Sequence, residues 1–389
     1  MPQRIIGLAL SGGGSRAIAF HLGCLRALQD RGILEQVHIL SGVSGGSVIA
    51  SMYAYSNEPF EEFERRVEAT LRRGLVWGIV REVFFSLEAF RILAAIVTAG
   101  LAAAIGTLIK LVVMVLGLFK IGGTILPGIA SLTAARLPRF ASRSTAFEKH
   151  LRRKFFSYTR MDAVSRAGLN VVLNAAELRT ETAFRFGSRE SGCWRYGKLV
   201  EVPDVATAVA ASAAFPAALP AFDRVMKFTA RGETSAHRVL ITDGGVYDNL
   251  GISCMTPGRA AEFSTNAYEV DFIIACDAGQ GTPTGSAKAY FWGSRMLATI
   301  NTIHRRVQTL TQSQLHSLAA NGQIKGFLLP YLGQIDERLP YRPDDLVPRE
   351  KTFSYPTNFS PISEANIRLL TSRGEQLTRI LLDTHAPHL

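Results

Sequence analysis

Gly42-Val43-Ser44-Gly45-Gly46 follows the apolar run Val37 to Leu40 and leads into Ser47-Val48-Ile49-Ala50-Ser51-Met52-Tyr53. The pattern predicts a strand, a sharp turn and a helix, with a serine at the apex. In such a G-x-S-x-G elbow, small neighbours let the backbone take a strained turn and hold the serine hydroxyl out at the positive end of a helix. The chemistry this suggests is acyl transfer through Ser44. Glycine and serine are common in this chain, so the motif gains its meaning from its neighbours.

Upstream, Ile5 to Leu10 reads as a short buried strand, and Ser11-Gly12-Gly13-Gly14-Ser15 as a tight loop that exposes backbone. A helix from about Ser15 to Arg31 buries Ile18, Leu22, Leu25 and Leu28 along one stripe and stops at Gly32. Strand, glycine loop and helix start make a preformed anion site. Two readings compete for it. Gly12-x-Gly14-x-x-Ala17 fits the dinucleotide fingerprint, which also wants an acid at the end of the second strand, where this chain has Ser41-Gly42-Val43-Ser44. Alternatively, the N–H groups of Gly12, Gly13 and Gly14 form an oxyanion hole beside Ser44, a contribution worth on the order of 3 kcal/mol per donor. The second reading uses both unusual segments at once.

A chain of 389 residues with 47% hydrophobic content can bury a sizeable core. The 43 Lys and Arg against 32 Asp and Glu, a formal charge of +11, favour an anionic partner, either nucleic acid or an anionic membrane surface. Cys24, Cys193, Cys254 and Cys276 are scattered without C-x-x-C spacing, which argues against a disulfide framework or a zinc site. The run Ile5 to Leu10 is too short for a signal-peptide core, so a reducing, cytoplasmic setting is expected.

From Ile92 the composition changes abruptly. Ile92 to Ile109 carries no charge, Lys110 interrupts, Leu111 to Phe119 is apolar, and after Lys120 the run Ile121 to Ala135 is again uncharged. Arginines flank it: Arg65, Arg66, Arg72, Arg73, Arg81 and Arg91 before, Arg136, Arg139, Arg143, Arg152 and Arg153 after, with Lys149 and Lys154. Core helices of a large domain are one reading. The other is a membrane-associated insertion, residues 92–135, with headgroup contacts. A shallow hairpin is expected, bent near Gly117, Gly122 and Gly123, because Lys110 and Lys120 oppose two deep spans. A nucleic-acid role would want basic residues interleaved with exposed aromatics, and here most flank the apolar run, so no nucleic-acid partner is expected.

Further strands are expected at Leu169 to Ala175, Thr182 to Phe186, Arg238 to Thr242 and Phe272 to Cys276, with helices at Asp204 to Phe215, about Tyr290 to Ala320 and Ser363 to Leu382. Alternation of this kind implies an α/β fold with a mostly parallel sheet covered on both sides. Asp243 ends an apolar strand and precedes Gly244 and Gly245, which would present its carboxylate beside Ser44. Ser44, Asp243 and His304 would also satisfy the chain order of a Ser-Asp-His triad, but His304 lies in a helical segment.

Taken in order, Gly12-Gly13-Gly14-Ser15-Arg16, Gly42-Val43-Ser44-Gly45-Gly46, Ala211-Ser212-Ala213-Ala214-Phe215-Pro216 and Asp243-Gly244-Gly245 with Asn249 resemble the patatin-like phospholipases. The resemblance covers residues 1 to about 56 and 165 to 280 well and the apolar stretch not at all. It implies a three-layer α/β/α fold over a single catalytic domain, 1–389, interrupted by an apolar helical insertion at 86–135. It also implies a lipid acyl hydrolase with Ser44 as nucleophile, Asp243 as dyad acid and Gly12 to Gly14 as oxyanion loop, supported by Arg16, Gly42, Gly46, Gly244 and Gly245, and working without metal or cofactor. Ser11 stands where an Asp often precedes the glycines, and Ala17 replaces the motif's last glycine. A soluble-ester hydrolase using His304, and a catalytically inactive membrane-anchored scaffold, are the alternatives.

Overall fold

In the computed structural model, residues 4–118, 140–216, 218–259, 265–281 and 291–389 are described. Ten strands form one sheet. Its first half is β1 (Ile6–Leu10), β2 (Val37–Val43), β3 (Asn170–Glu177), β9 (Phe272–Cys276) and β10 (Gly326–Leu328), joined in the order β10-β9-β1-β2-β3, every pair parallel. Helices feed these strands: α1 (Gly14–Asp30), α2 (Gly45–Ala54) and α3 (Phe60–Arg73) early in the chain, then α8 (Trp292–Ala320) and α9 (Glu364–His385). Strand residues alternate between two apolar layers, as a pleated sheet requires. Leu8, Leu10, Leu40, Leu173, Ile274 and Cys276 join the large core under α1 and α2. Ala9, Ile39, Val172, Ile273 and Ala275 join a smaller core with Leu315 and Leu318 of α8. This is the expected α/β/α layering.

The second half departs from expectation. Strands β4 (Thr182–Gly187), β5 (Ser191–Cys193), β6 (Gly197–Leu199), β7 (Phe222–Ala230) and β8 (Glu233–Asp243) are all antiparallel to their neighbours, so the sheet is mixed and not mostly parallel. Most of these strands are joined by short turns, which can only reverse the chain, and the longer link from β6 to β7, which carries a helix at Val205–Ser212, also returns antiparallel. The consequence is positional. β8 folds back onto β3, pairing Ala175 with Asp243, while β2 pairs Val43 with Asn174 on the same strand. One strand thus carries the ends of β2 and β8 on adjacent rungs, about 3.3 Å apart along it. Asp243 reaches the elbow head-on from an antiparallel strand, not from the shared edge of a parallel one.

Between β2 and β3 in the chain come α4 (Val76–Phe84), α5 (Leu87–Leu118) and α6 (Arg143–Leu151). Helix α5 is by length and composition able to cross a membrane, with 12% of its apolar window buried. Leu93, Leu101, Leu108 and Met114 project from it, and near its base Ile92, Ala95 and Ile96 line a shallow cavity together with Ala141 and Pro220. The helix includes Gly117 and is described as far as Leu118; Lys120, Gly122, Gly123 and the rest of the expected insertion to Ala135, where the expected bends fall, lie outside the described residues. Several flanking cations are already paired: Arg91 with Glu88 at 3.1 Å, Arg153 and Lys149 with buried Glu82 at 3.2 and 3.8 Å, and Arg152 with Glu148 at 2.8 Å. Their first partners are buried acids, whereas Arg73 and Arg143 are exposed.

Candidate active site

The site is assembled by close backbone approach. A Cβ on Gly45 would sit 2.3 Å from the Gly14 carbonyl oxygen, and one on Gly46 2.0 Å from that of Leu10. The elbow and the glycine loop therefore touch main chain to main chain, and only glycine allows it. Gly13 and Gly14 have φ of +148° and +61°. Ala17, where a glycine was expected, is fully buried, and a Cβ on Gly13 would meet its own at 3.1 Å.

Ser44 joins β2 to α2 with φ 51° and ψ −117°, a sparsely populated conformation that costs of order 1–3 kcal/mol. It is held there by its N–H, which donates to Ser212 Oγ at 3.1 Å, and by its carbonyl, which accepts from Ser47 N at 3.0 Å. Ser212, in α7 (Val205–Ser212), donates in turn to the Asn174 carbonyl at 2.5 Å and meets Ser47 Oγ at 2.7 Å. The block Ala211 to Pro216 includes Ser212, but its role in holding Ser44, and those of Ser47 and Asn174, are not visible in the motif.

Asp243 is 2% exposed. Its N–H donates to the Ala214 carbonyl at 3.1 Å, and Oδ1 accepts the Gly245 N–H at 2.7 Å. Burial pushes the carboxyl up to about 6, against the opposing effects of the nearby Ser44 hydroxyl and the Gly245 N–H. Oδ2 is buried and, among the described residues, meets no partner with hydrogen-bond geometry. An acid of this kind, half ionised near pH 6 and close to a strained serine, can accept a proton from it.

Of the three loop glycines, Gly12 donates its N–H to the Asn249 carbonyl at 3.1 Å. It is therefore engaged, while Gly13 and Gly14 N–H have no acceptor among the described residues. A Cβ on Gly12 would lie 3.4 Å from Ser44 Cβ, so the loop and the serine share one small space. Arg16 is buried below the loop, donating to the carbonyls of Ala278 at 2.9 Å and Tyr355 at 2.7 Å, and burial takes its guanidinium down to about 10 despite the counteracting field of Asp277. It braces the loop and does not face the serine. Gly42 and Gly244 permit close approach of Ser47 and the Asn174 carbonyl. His304, on α8, lies over the turn after Asp243, with Nε2 3.5 Å from where a Gly245 Cβ would be; no hydrogen bond joins it to Ser44 or Asp243 among the described residues.

The family model for patatin-like phospholipases matches residues 8–253. Among curated proteins, lysophospholipase NTE1 of Mycosarcoma maydis is 34% identical over 85 residues, which are 22% of this chain and 4% of that protein. Lysophospholipase nte1 of Aspergillus fumigatus is 39% identical over 82 residues, 21% of this chain and 5% of that protein. The chain thus matches only a small part of these relatives. Among solved structures, human GIVD cytosolic phospholipase A2 aligns over 98% of this chain and 61% of its own, with TM-score 0.53 and 11% identity. Its complex with methyl gamma-linolenyl fluorophosphonate and terbium chloride aligns over 98% and 58%, with TM-score 0.52 and 13% identity. At these identities the likeness is one of fold.

Proposed function

The chain belongs to the patatin-like phospholipase family, and on that premise we propose that it hydrolyses carboxylic esters of membrane lipids, as a phospholipase A or lysophospholipase. Ser44 attacks the ester carbonyl, and Asp243 Oδ2 takes the hydroxyl proton directly. Charge developing on the carbonyl oxygen is met by the N–H groups of Gly13 and Gly14 at the start of α1, with Gly12 shaping the loop through Asn249. Collapse of the tetrahedral intermediate returns the proton to the leaving alcohol, and water then attacks the acyl-serine with Asp243 as base. The observation that carries this reading is a strained serine close to a buried carboxyl whose Oδ2 has no hydrogen-bond partner among the described residues. That the cytosolic phospholipase A2 of similar fold takes a lipid fluorophosphonate supports the same chemistry here.

The reading is tested with purified protein on phospholipids, lysophospholipids and neutral glycerides; release of fatty acid from none of them would reject it. Hydrolysis of a short ester should also rise through about pH 6, because only the carboxylate form of Asp243 can act as base. The profile should be unchanged in His304→Gln. Loss of activity in that variant, with its fold intact, would instead favour a Ser-Asp-His triad.

Helix α5 supports a membrane-associated enzyme, held at the surface where its substrates are found. Leu101→Lys with Leu108→Lys adds two charges to exposed apolar positions, and each costs roughly 2.5–3.5 kcal/mol at the centre of a spanning helix, less nearer the interface. The double variant should leave anionic liposomes in a flotation assay while keeping its short-ester activity. Undiminished co-flotation would count against α5 as the anchor.

A further inference from the structure

We propose that His21, Cys24 and Cys276 form a buried binding site for a thiophilic d10 metal ion, of the class of Cu(I) and Zn(II), directly behind the glycine loop. His21 and Cys24 lie three residues apart on α1 and so share a helix face. Cys276 comes from β9, on the alternate set of residues that faces α1. The sequence separates the two cysteines widely, and the fold closes that gap: a ring nitrogen of His21 and the sulfurs of Cys24 and Cys276 all lie within 4.8 Å of one another. Metal–sulfur bonds near 2.3 Å and metal–nitrogen bonds near 2.0–2.1 Å ask only for a small contraction of such a set.

The histidine supplies the decisive detail. Nε2 lies 2.9 Å from the Ser11 carbonyl oxygen, which can only accept, so Nε2 carries the proton and Nδ1 has the lone pair. Nδ1 is buried and has no partner with hydrogen-bond geometry among the described residues, the neighbouring Cys24 Sγ donating to the Gly374 carbonyl at 3.6 Å. Ligating histidines commonly donate their second nitrogen to a carbonyl in this way, which fixes the tautomer and orients the ring. Cysteine alone would be explained as a small apolar packing residue. A buried imidazole with an unanswered lone pair beside two thiols is not, because an unpaired buried polar atom is costly.

Two sulfurs and one imidazole nitrogen, with no carboxylate and no exposure to water, make a soft donor set of low coordination number. Three-coordinate Cu(I) fits it most simply; structural Zn(II) is usually four-coordinate and would need a further donor. The ion would tie α1 to β9 on both sides of Ser11, whose N–H donates to the Cys276 carbonyl at 3.1 Å. Its role is to brace the strand end from which the glycine loop springs, outside the chemistry at Ser44.

The full-length chain, purified anaerobically under reducing conditions, is titrated with Cu(I) and with Zn(II) against chromophoric chelators, and its thermal unfolding is followed with each. One ion per chain is expected, bound at least a hundredfold more weakly by Cys24→Ser and by Cys276→Ser, with an unfolding midpoint that rises with the ion in the wild type alone. Tight Cu(I) binding identifies the three-coordinate site, and preference for Zn(II) a site completed by a further donor. Should the variants fail to fold, X-ray absorption of the loaded wild type is expected to give two sulfur ligands and at least one nitrogen. Absence of stoichiometric binding of either ion, a coordination shell lacking sulfur, or a Cys24–Cys276 disulfide in the freshly isolated protein would overturn the proposal.

Discussion

Ser44→Ala should lose fluorophosphonate labelling entirely and lose ester turnover by roughly 10⁴-fold or more, as removal of a covalent nucleophile does elsewhere. The fold should survive, because the contacts that hold the elbow are made by the backbone of residue 44: its N–H to Ser212 and its carbonyl to Ser47. Alanine keeps the strain of φ 51°. Glycine does not, so Ser44→Gly should be equally inactive and more stable than the wild type by about 1 kcal/mol. The check is labelling with intact-mass detection alongside denaturant unfolding. Labelling that persists in Ser44→Ala would move the nucleophile elsewhere.

Asp243→Asn should separate activity from stability in the opposite directions. Turnover should fall by about 10³-fold or more, since the amide cannot take the serine proton. The wild-type carboxyl is raised from 3.8 to about 6 chiefly by burial. The native state therefore holds the proton more tightly than the unfolded chain, and wild-type stability falls as pH rises between these two values and stays lower above them. Two units at about 1.4 kcal/mol each correspond to a cost on the order of 2–3 kcal/mol at neutral pH. Asparagine keeps an oxygen for the Gly245 N–H and avoids the buried charge, so the variant should be the more stable protein at pH 8 and lose that advantage toward pH 4. Denaturant unfolding at both values measures it. Equal stability of the two proteins at pH 8 would mean that the carboxyl is better solvated than its burial implies.

Local signals carried the elbow. The apolar run to Leu40, the small residues at 42–46 and the following helix are read from adjacent residues, and β2 and α2 have those bounds within a few positions. The glycine loop was legible for the same reason. What escaped were features made by distant pairing. Phe222–Ala230 is a strand, but it mixes exposed Val225 with buried Phe228 and lacks the continuous apolar run of a parallel strand. The approach of Asp243 depends on β8 pairing back onto β3, a register no local pattern encodes. Ser212 lies in an alanine-rich stretch, and Asn174 supports the elbow from a distant strand, accepting from Ser212 with its carbonyl and donating with its side chain to Ser41 Oγ and the Gly42 carbonyl. Of the flanking cations, Arg91 and Arg152 have local partners in Glu88 and Glu148, three and four residues away, whereas Lys149 and Arg153 meet Glu82 across helices, a pairing the sequence does not display.

The catalytic unit does not stop where the family match does, at residue 253. Strand β9 flanks β1, the Asn358 carbonyl accepts from Ser15 N at 2.7 Å beside the glycine loop, and Tyr355 and Ala278 hold Arg16. Helix α9 lies so close along α1 that a Cβ on Gly23 would fall 1.8 Å from the Thr371 carbonyl oxygen. A transplant of residues 8–253 alone into another scaffold would carry the serine and the acid without the clamp that shapes the loop between them. Any cut point for grafting this site lies beyond α9.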